Sequence, residues 1–160
     1  MKTTFCEVLE SRRLMSATLG VLTYEVNAAG QLTVNEPVGT ITNAPTAEVV
    51  DALAGVVLSD GKGNVAFVPG VTSVLVKIAD GVGIAEVIDD TTVPVTVDQG
   101  DGKQTLLAAN AGPGDLTINE GNGKDSVTAF NASPDPANLV VNMGDGSASV
   151  TTIGAVTVNP

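Results

Sequence analysis

The chain has 160 residues, a net charge of −11 and no histidine. Without histidine there is no Ser-His-Asp triad, no histidine general base and no histidine-ligated zinc, and so acidic a chain repels the phosphates of nucleic acid. Hydrophobic content is 43%, yet there are only three Phe, one Tyr and no Trp, so Val, Ile, Leu and Ala must fill any core.

The N-terminal segment differs from the rest. Three of the seven basic residues (Lys2, Arg12 and Arg13) fall in the first thirteen positions, and beyond them Lys62, Lys77, Lys103 and Lys124 stand against sixteen acids. Cys6 is the one cysteine, which rules out an internal disulfide. The run "LESRRLMS" carries Leu9, Glu10, Arg12, Arg13 and Leu14. It resembles the LEPR-XLL motif found at the N-terminus of many secreted or surface proteins of planctomycetes and related bacteria, with Ser11 in place of proline and Met15 in place of leucine. The resemblance covers about fifteen residues and implies export to the cell surface or medium. "SRRLM" followed by "LMSATLGVLTY" also resembles a twin-arginine export signal. Residues 1–29 are therefore expected to be either a sorting and export segment or a structural cap, ahead of a repeat domain over 30–160.

From residue 56 onward the chain repeats. A Gly-x-Gly pair recurs at Gly61/Gly63, Gly81/Gly83, Gly100/Gly102, Gly121/Gly123 and Gly144/Gly146, at steps of 20, 19, 21 and 23 residues. Five and three residues before each first glycine stand apolar residues (Val95 and Val97, Leu116 and Ile118), and six residues after it stands another (Leu106, Val127). Apolar positions two apart have the period of a strand with one buried face. "GQLTVNEPVG" at Gly30–Gly39 matches "GDLTINEGNG" at Gly114–Gly123, 84 residues on, or four steps of 21. "AVTVNP" supplies one further apolar pair, Val156 and Val158.

Units of about 20 residues holding short strands between Gly/Asn/Asp turns predict an all-β fold, a short parallel β-solenoid (β-helix or β-roll) of six or seven rungs. The alternative is an antiparallel β-sandwich, which also shows many short strands with frequent turns. No apolar run reaches the length of a transmembrane helix.

One block, "EGNGKDSVT" (Glu120 to Thr128), resembles the nonapeptide of hemolysin-type (RTX) calcium-binding repeats, G-G-x-G-x-D-x-apolar-x. Gly121, Gly123, Asp125 and Val127 match, while Glu120 replaces the first glycine. At the aspartate position the other blocks read Val65, Ala85, Gln104 and Ala148. The resemblance implies Ca2+ held by oxygen ligands. The candidate ligands are Glu120, Asp125, Asp101 and Asp145, and whether an ion binds stays open, because a glycine-cornered turn needs none. No other cofactor is expected.

An enzyme of the polysaccharide-lyase kind would need a lysine between carboxylates, and only Lys103 and Lys124, beside Asp101 and Asp125, offer one. A corner lysine paired to an acid accounts for them more simply. The leading expectation is a non-catalytic secreted or cell-surface structural or adhesive module. The alternative is a calcium- or carbohydrate-binding module. Its partners would be a cell-surface polysaccharide, a protein, or another copy joined head to tail.

Overall fold

A computed structural model describes residues 15–40, 43–133 and 139–160. Cys6 and the motif residues Leu9, Glu10, Arg12, Arg13 and Leu14 lie outside the described residues. The described chain is all-β, with fifteen strands in two facing sheets. The first sheet has the order β1-β2-β3-β7-β9-β11-β13-β15 and the second β14-β12-β10-β8-β4-β5-β6. The strands of the first sheet are β1 (Met15–Leu19), β2 (Leu22–Val26), β3 (Gln31–Glu36), β7 (Ser73–Ile78), β9 (Val95–Gln99), β11 (Leu116–Asn119), β13 (Leu139–Asn142) and β15 (Val156–Asn159). Those of the second are β4 (Thr46–Ala52), β5 (Gly55–Ser59), β6 (Val65–Pro69), β8 (Gly81–Asp90), β10 (Gly102–Asn110), β12 (Ser126–Asn131) and β14 (Ser149–Ile153).

From β7 onward the chain alternates between the sheets, and every strand pairs in parallel with its equivalent one turn away. This is a β-solenoid of about four turns, two strands to a turn. Like residues stack in rows. Inside the first sheet run Leu32–Val74–Val95–Leu116–Leu139–Val156 and Val34–Val76–Val97–Ile118–Val141–Val158. Against them the second sheet sets Ala85–Leu106–Val127–Val150 and Ala47–Val87–Ala108–Ala129. Short alanine rows opposite longer Val/Leu/Ile rows keep the sheets close, so through the parallel rungs aliphatic side chains fill the core.

The first repeat block is not a rung. Gly61 and Gly63 lie in the turn between β5 and β6, an antiparallel hairpin at the edge of the second sheet. Asp60 organises that turn, its Oδ1 accepting the backbone N–H of Lys62 at 2.9 Å and of Asn64 at 3.0 Å. Leu32 therefore pairs directly with Val74, 42 residues on, whereas Val74 to Val95 and Val95 to Leu116 are 21 each. The hairpin takes the place of one rung, and the six or seven rungs expected from spacing are reduced accordingly. The second block is also shifted: Gly81, not Gly83, sits beside Gly102. A two-residue slip keeps every side chain on its own face, so the apolar pattern tolerates it.

Antiparallel strands also close the first sheet. β1 and β2 form a hairpin that continues onto β3 and adds Leu19, Leu22 and Tyr24 to the core. The solenoid expectation holds and the sandwich alternative does not; antiparallel hairpins occupy one end of the two sheets and parallel rungs the rest. Residues Met15–Val26, inside the segment set apart as 1–29, are strands of this fold.

The two corners work differently. At the corner from the second sheet to the first, Asp89, Asn110 and Asn131 form an inward row. Asp89 Oδ1 accepts from Thr91 N–H at 3.0 Å and Thr91 Oγ1–H at 2.8 Å. Asn110 Nδ2–H donates to the Gly114 carbonyl at 3.2 Å. At the opposite, glycine-rich corner the backbones of successive rungs nearly touch. Gly102 has φ +143°, and a Cβ there would strike the Gly81 carbonyl oxygen. A Cβ on Gly123 would strike the Gly102 carbonyl oxygen in turn. By contrast, nothing lies within 4 Å of a Cβ built on Gly63 (φ +94°) in the hairpin turn.

Two buried acids carry a pH consequence. Burial pushes Glu36 up to about 8 and Asp89 up to about 7, and each keeps one carboxyl oxygen without a hydrogen-bond partner. The folded protein holds these protons after the unfolded chain has released them. Stability is thus fullest below about pH 4 and declines as pH rises through 7 to 8. Unfolding monitored by circular dichroism will show a higher midpoint at pH 5 than at pH 8. Glu36→Gln, which needs no proton, will flatten the slope and stabilise the protein at pH 8 by a few kcal/mol. The corners give a second prediction. Gly123→Ala will cost about 3 kcal/mol or more, because backbone must move, and Gly63→Ala about 1–2 kcal/mol, for the backbone conformation alone. Urea unfolding of the two variants checks the difference.

Candidate functional site

The four candidate metal ligands fall on opposite sides of the glycine corner. Asp101 and Asp145 face outward, in a row with Asp80 and Asn122. Each side chain there accepts a backbone N–H from the next rung: Asp80 Oδ1 from Asp101 at 2.8 Å, Asp101 Oδ1 from Asn122 at 2.7 Å and Asn122 Oδ1 from Asp145 at 3.2 Å. These contacts join rungs at the corner alongside backbone bonds such as Lys124 N–H to the Gly102 carbonyl at 2.9 Å. Glu120 and Asp125 face inward and are buried. Among the described residues no group of three or more His, Cys, Asp or Glu side chains forms a metal cage.

The inner side of the corner also holds Gln104, a mismatch at the aspartate position of the RTX-like pattern, and Gln99. Gln99 precedes Glu120 in the row Glu36–Ile78–Gln99–Glu120, which ends the first sheet's inner face. Gln104 precedes Asp125 at the start of the second sheet, and Asp125 Oδ1 accepts the Gln104 backbone N–H at 3.0 Å. "QGDGKQ" and "EGNGKD" are thus the same corner on adjacent rungs, with the inward polar pair five residues apart in each. That shared offset was the available signal. Both Glu120 carboxyl oxygens, both Gln99 amide atoms and the Gln104 Oε1 are buried without a hydrogen-bond partner. Burial first, and then the nearby Asp125 carboxylate, raise the Glu120 pKa. Chemically, the corner is a small oxygen-rich space with a deficit of donors, suited to a proton or a hard cation.

The lysines lie elsewhere. Lys103 and Lys124 stack on the outer face of the second sheet, while Asp125 points to the interior, so no lysine stands between the two carboxylates. The simpler expectation, a corner lysine paired to an acid, also fails: neither ammonium has a hydrogen-bond or ion-pair partner among the described residues.

The two outer faces differ in kind. On the first sheet runs the row Thr33–Leu75–Thr96–Thr117–Val140–Thr157, beside Asn35–Lys77–Asp98–Asn119–Asn142–Asn159. Three amides of that second row bond to one another from rung to rung. Asn119 Nδ2 donates to Asp98 Oδ1, Asn142 Nδ2 to Asn119 Oδ1 and Asn159 Nδ2 to Asn142 Oδ1, each at 2.8 Å. The second sheet's outer face has no such ladder and exposes Val65, Phe67, Val82, Leu107, Phe130 and Ile153. No helix of the described residues is long and apolar enough to cross a membrane. No family model, curated protein or solved structure matches this chain.

Proposed function

We propose that this chain is a non-catalytic secreted or cell-surface module, structural or adhesive in role. The observation that carries the reading is how the polar residues are spent. Asp80, Asp101, Asn122, Asp98, Asn119 and Asn142 each bond a neighbouring rung instead of converging on a reacting centre. Eight strands at about 4.8 Å make a stiff body about 34 Å long. The likeness of residues 9–15 to an export-linked motif supports delivery outside the cell. Labelling intact cells of the producing organism with a membrane-impermeant amine reagent, followed by fractionation, tests this. The protein is expected in the labelled surface fraction or the medium; recovery only in the unlabelled cytoplasmic fraction would reject the placement.

A second reading, a calcium-binding module, is favoured by the unpartnered Glu120 oxygens beside Asp125. A divalent ion there would offset the repulsion between the two carboxylates and satisfy the amide oxygens of Gln99 and Gln104. Under this reading, millimolar Ca2+ raises the thermal midpoint at pH 7 by several degrees over that in chelator. Glu120→Gln raises the midpoint in chelator and removes the response to calcium. An unchanged midpoint in the parent protein would reject the calcium reading.

A further inference from the structure

Tyr24 packs into the core, but the described phenylalanines lie outside it. Both described phenylalanines, Phe67 and Phe130, are exposed on the outer face of the second sheet, at 52% and 42%. The core is complete without them. A large apolar side chain turned outward beside others of its kind marks a contact surface. Leu107, also 42% exposed, lies with Phe130, Ile88 and Ala109 around a shallow depression of about 160 Å3. A larger depression of about 360 Å3 adjoins it and is lined by Val82, Ile84, Lys103, Thr105, Lys124 and Ser126. Both open on one face, because Thr105 and Leu107 alternate outward on β10, as Ser126 and Thr128 do on β12.

Charge is the second observation. Lys103 and Lys124 sit side by side on adjacent rungs, both unpartnered, in a chain of net charge −11. Like charges directly across a sheet destabilise it, and lysines on neighbouring strands, whose backbones lie about 4.8 Å apart, can hold one anionic group between them. At the other end of the face stands Glu86, whose Oε2 accepts from Thr46 Oγ1–H at 3.1 Å. The face is therefore cationic at one end, hydroxylated in the middle, and apolar with a carboxylate at the other.

We propose that this outer face, across β8, β10 and β12, binds a polysaccharide in which uronic acids alternate with neutral sugars. A uronate carboxylate sits between Lys103 and Lys124. Thr105, Ser126 and Thr128 exchange hydrogen bonds with sugar hydroxyls. A neutral sugar lays its apolar face on Leu107 and Phe130, where Glu86 and the net charge repel a second carboxylate. From Lys103 to Ala109 the strand runs about 20 Å, room for about four pyranose rings. The inference deepens the adhesive reading by naming what the module adheres to.

Isothermal titration with three oligosaccharide probes of equal length tests it. These are a hyaluronan tetrasaccharide (alternating acidic and neutral sugars), tetragalacturonate (every sugar acidic) and cellotetraose (neutral). The alternating probe is expected to bind at least tenfold more tightly than either of the others, and more weakly as salt rises. Lys103→Gln and Lys124→Gln should each weaken it about tenfold, and Phe130→Ala about fivefold, with thermal midpoints in the lysine variants no lower than in the parent. Equal binding of all three probes, no binding of the alternating probe at 10 mM, or affinity untouched in the Lys103→Gln/Lys124→Gln double variant would overturn the proposal. None of these outcomes bears on where surface labelling places the protein.

Discussion

At the glycine corner the chain turns from one sheet to the other so tightly that the carbonyl of one rung occupies the space of the next rung's missing Cβ. Parallel strands one turn apart must keep their usual spacing through the bend as well as along the strand. The positions of Gly81, Gly102 and Gly123 set the height of each turn, and that height brings like residues into rows. The aliphatic ladders, the amide ladder on the first sheet and the outward Asx row are all consequences of this shared register.

Stacking also multiplies whatever is put at a given position. A small aliphatic residue repeated in a row is favourable, since each copy buries the last. A carboxylate repeated in a row is not, and the chain handles its acids in two ways. Outward acids at the corner take backbone N–H groups from the next rung. Inward acids are diluted: Glu36 is separated from Glu120 by Ile78 and Gln99, and Asp89 is followed by Asn110 and Asn131. Where Glu120 and Asp125 do meet, burial and mutual repulsion favour a proton or an ion on the pair.

The sheets then divide their labour. The first sheet's outer amides are engaged with each other, so that face contributes rigidity. The second sheet's outer face leaves ammoniums, hydroxyls and aromatic rings without mutual partners, so it is the face with unused bonding capacity. Along β10 the ammonium, hydroxyl and apolar rows follow one another in the strand direction.

The fold class and the inward residues were legible in the sequence, because a period of 2 within strands and of about 21 between rungs reports directly on burial and stacking. The equivalence of Val95, Leu116 and Leu139 was readable for that reason. The same period concealed that Val56, Leu58 and Phe67 belong to a hairpin, since alternation is identical in parallel and antiparallel strands and only long-range pairing separates them. Facing was lost at the corner for a related reason. Glu120 and Asp101 both lie next to a Gly-x-Gly glycine, yet backbone curvature sends one into the core and the other to solvent. The sequence by itself determined a stacked, aliphatic, glycine-cornered β fold. Only the tertiary structure decided which acids meet, which lysines stand free and which face is open, because those depend on the direction of each side chain at a bend that spacing does not record.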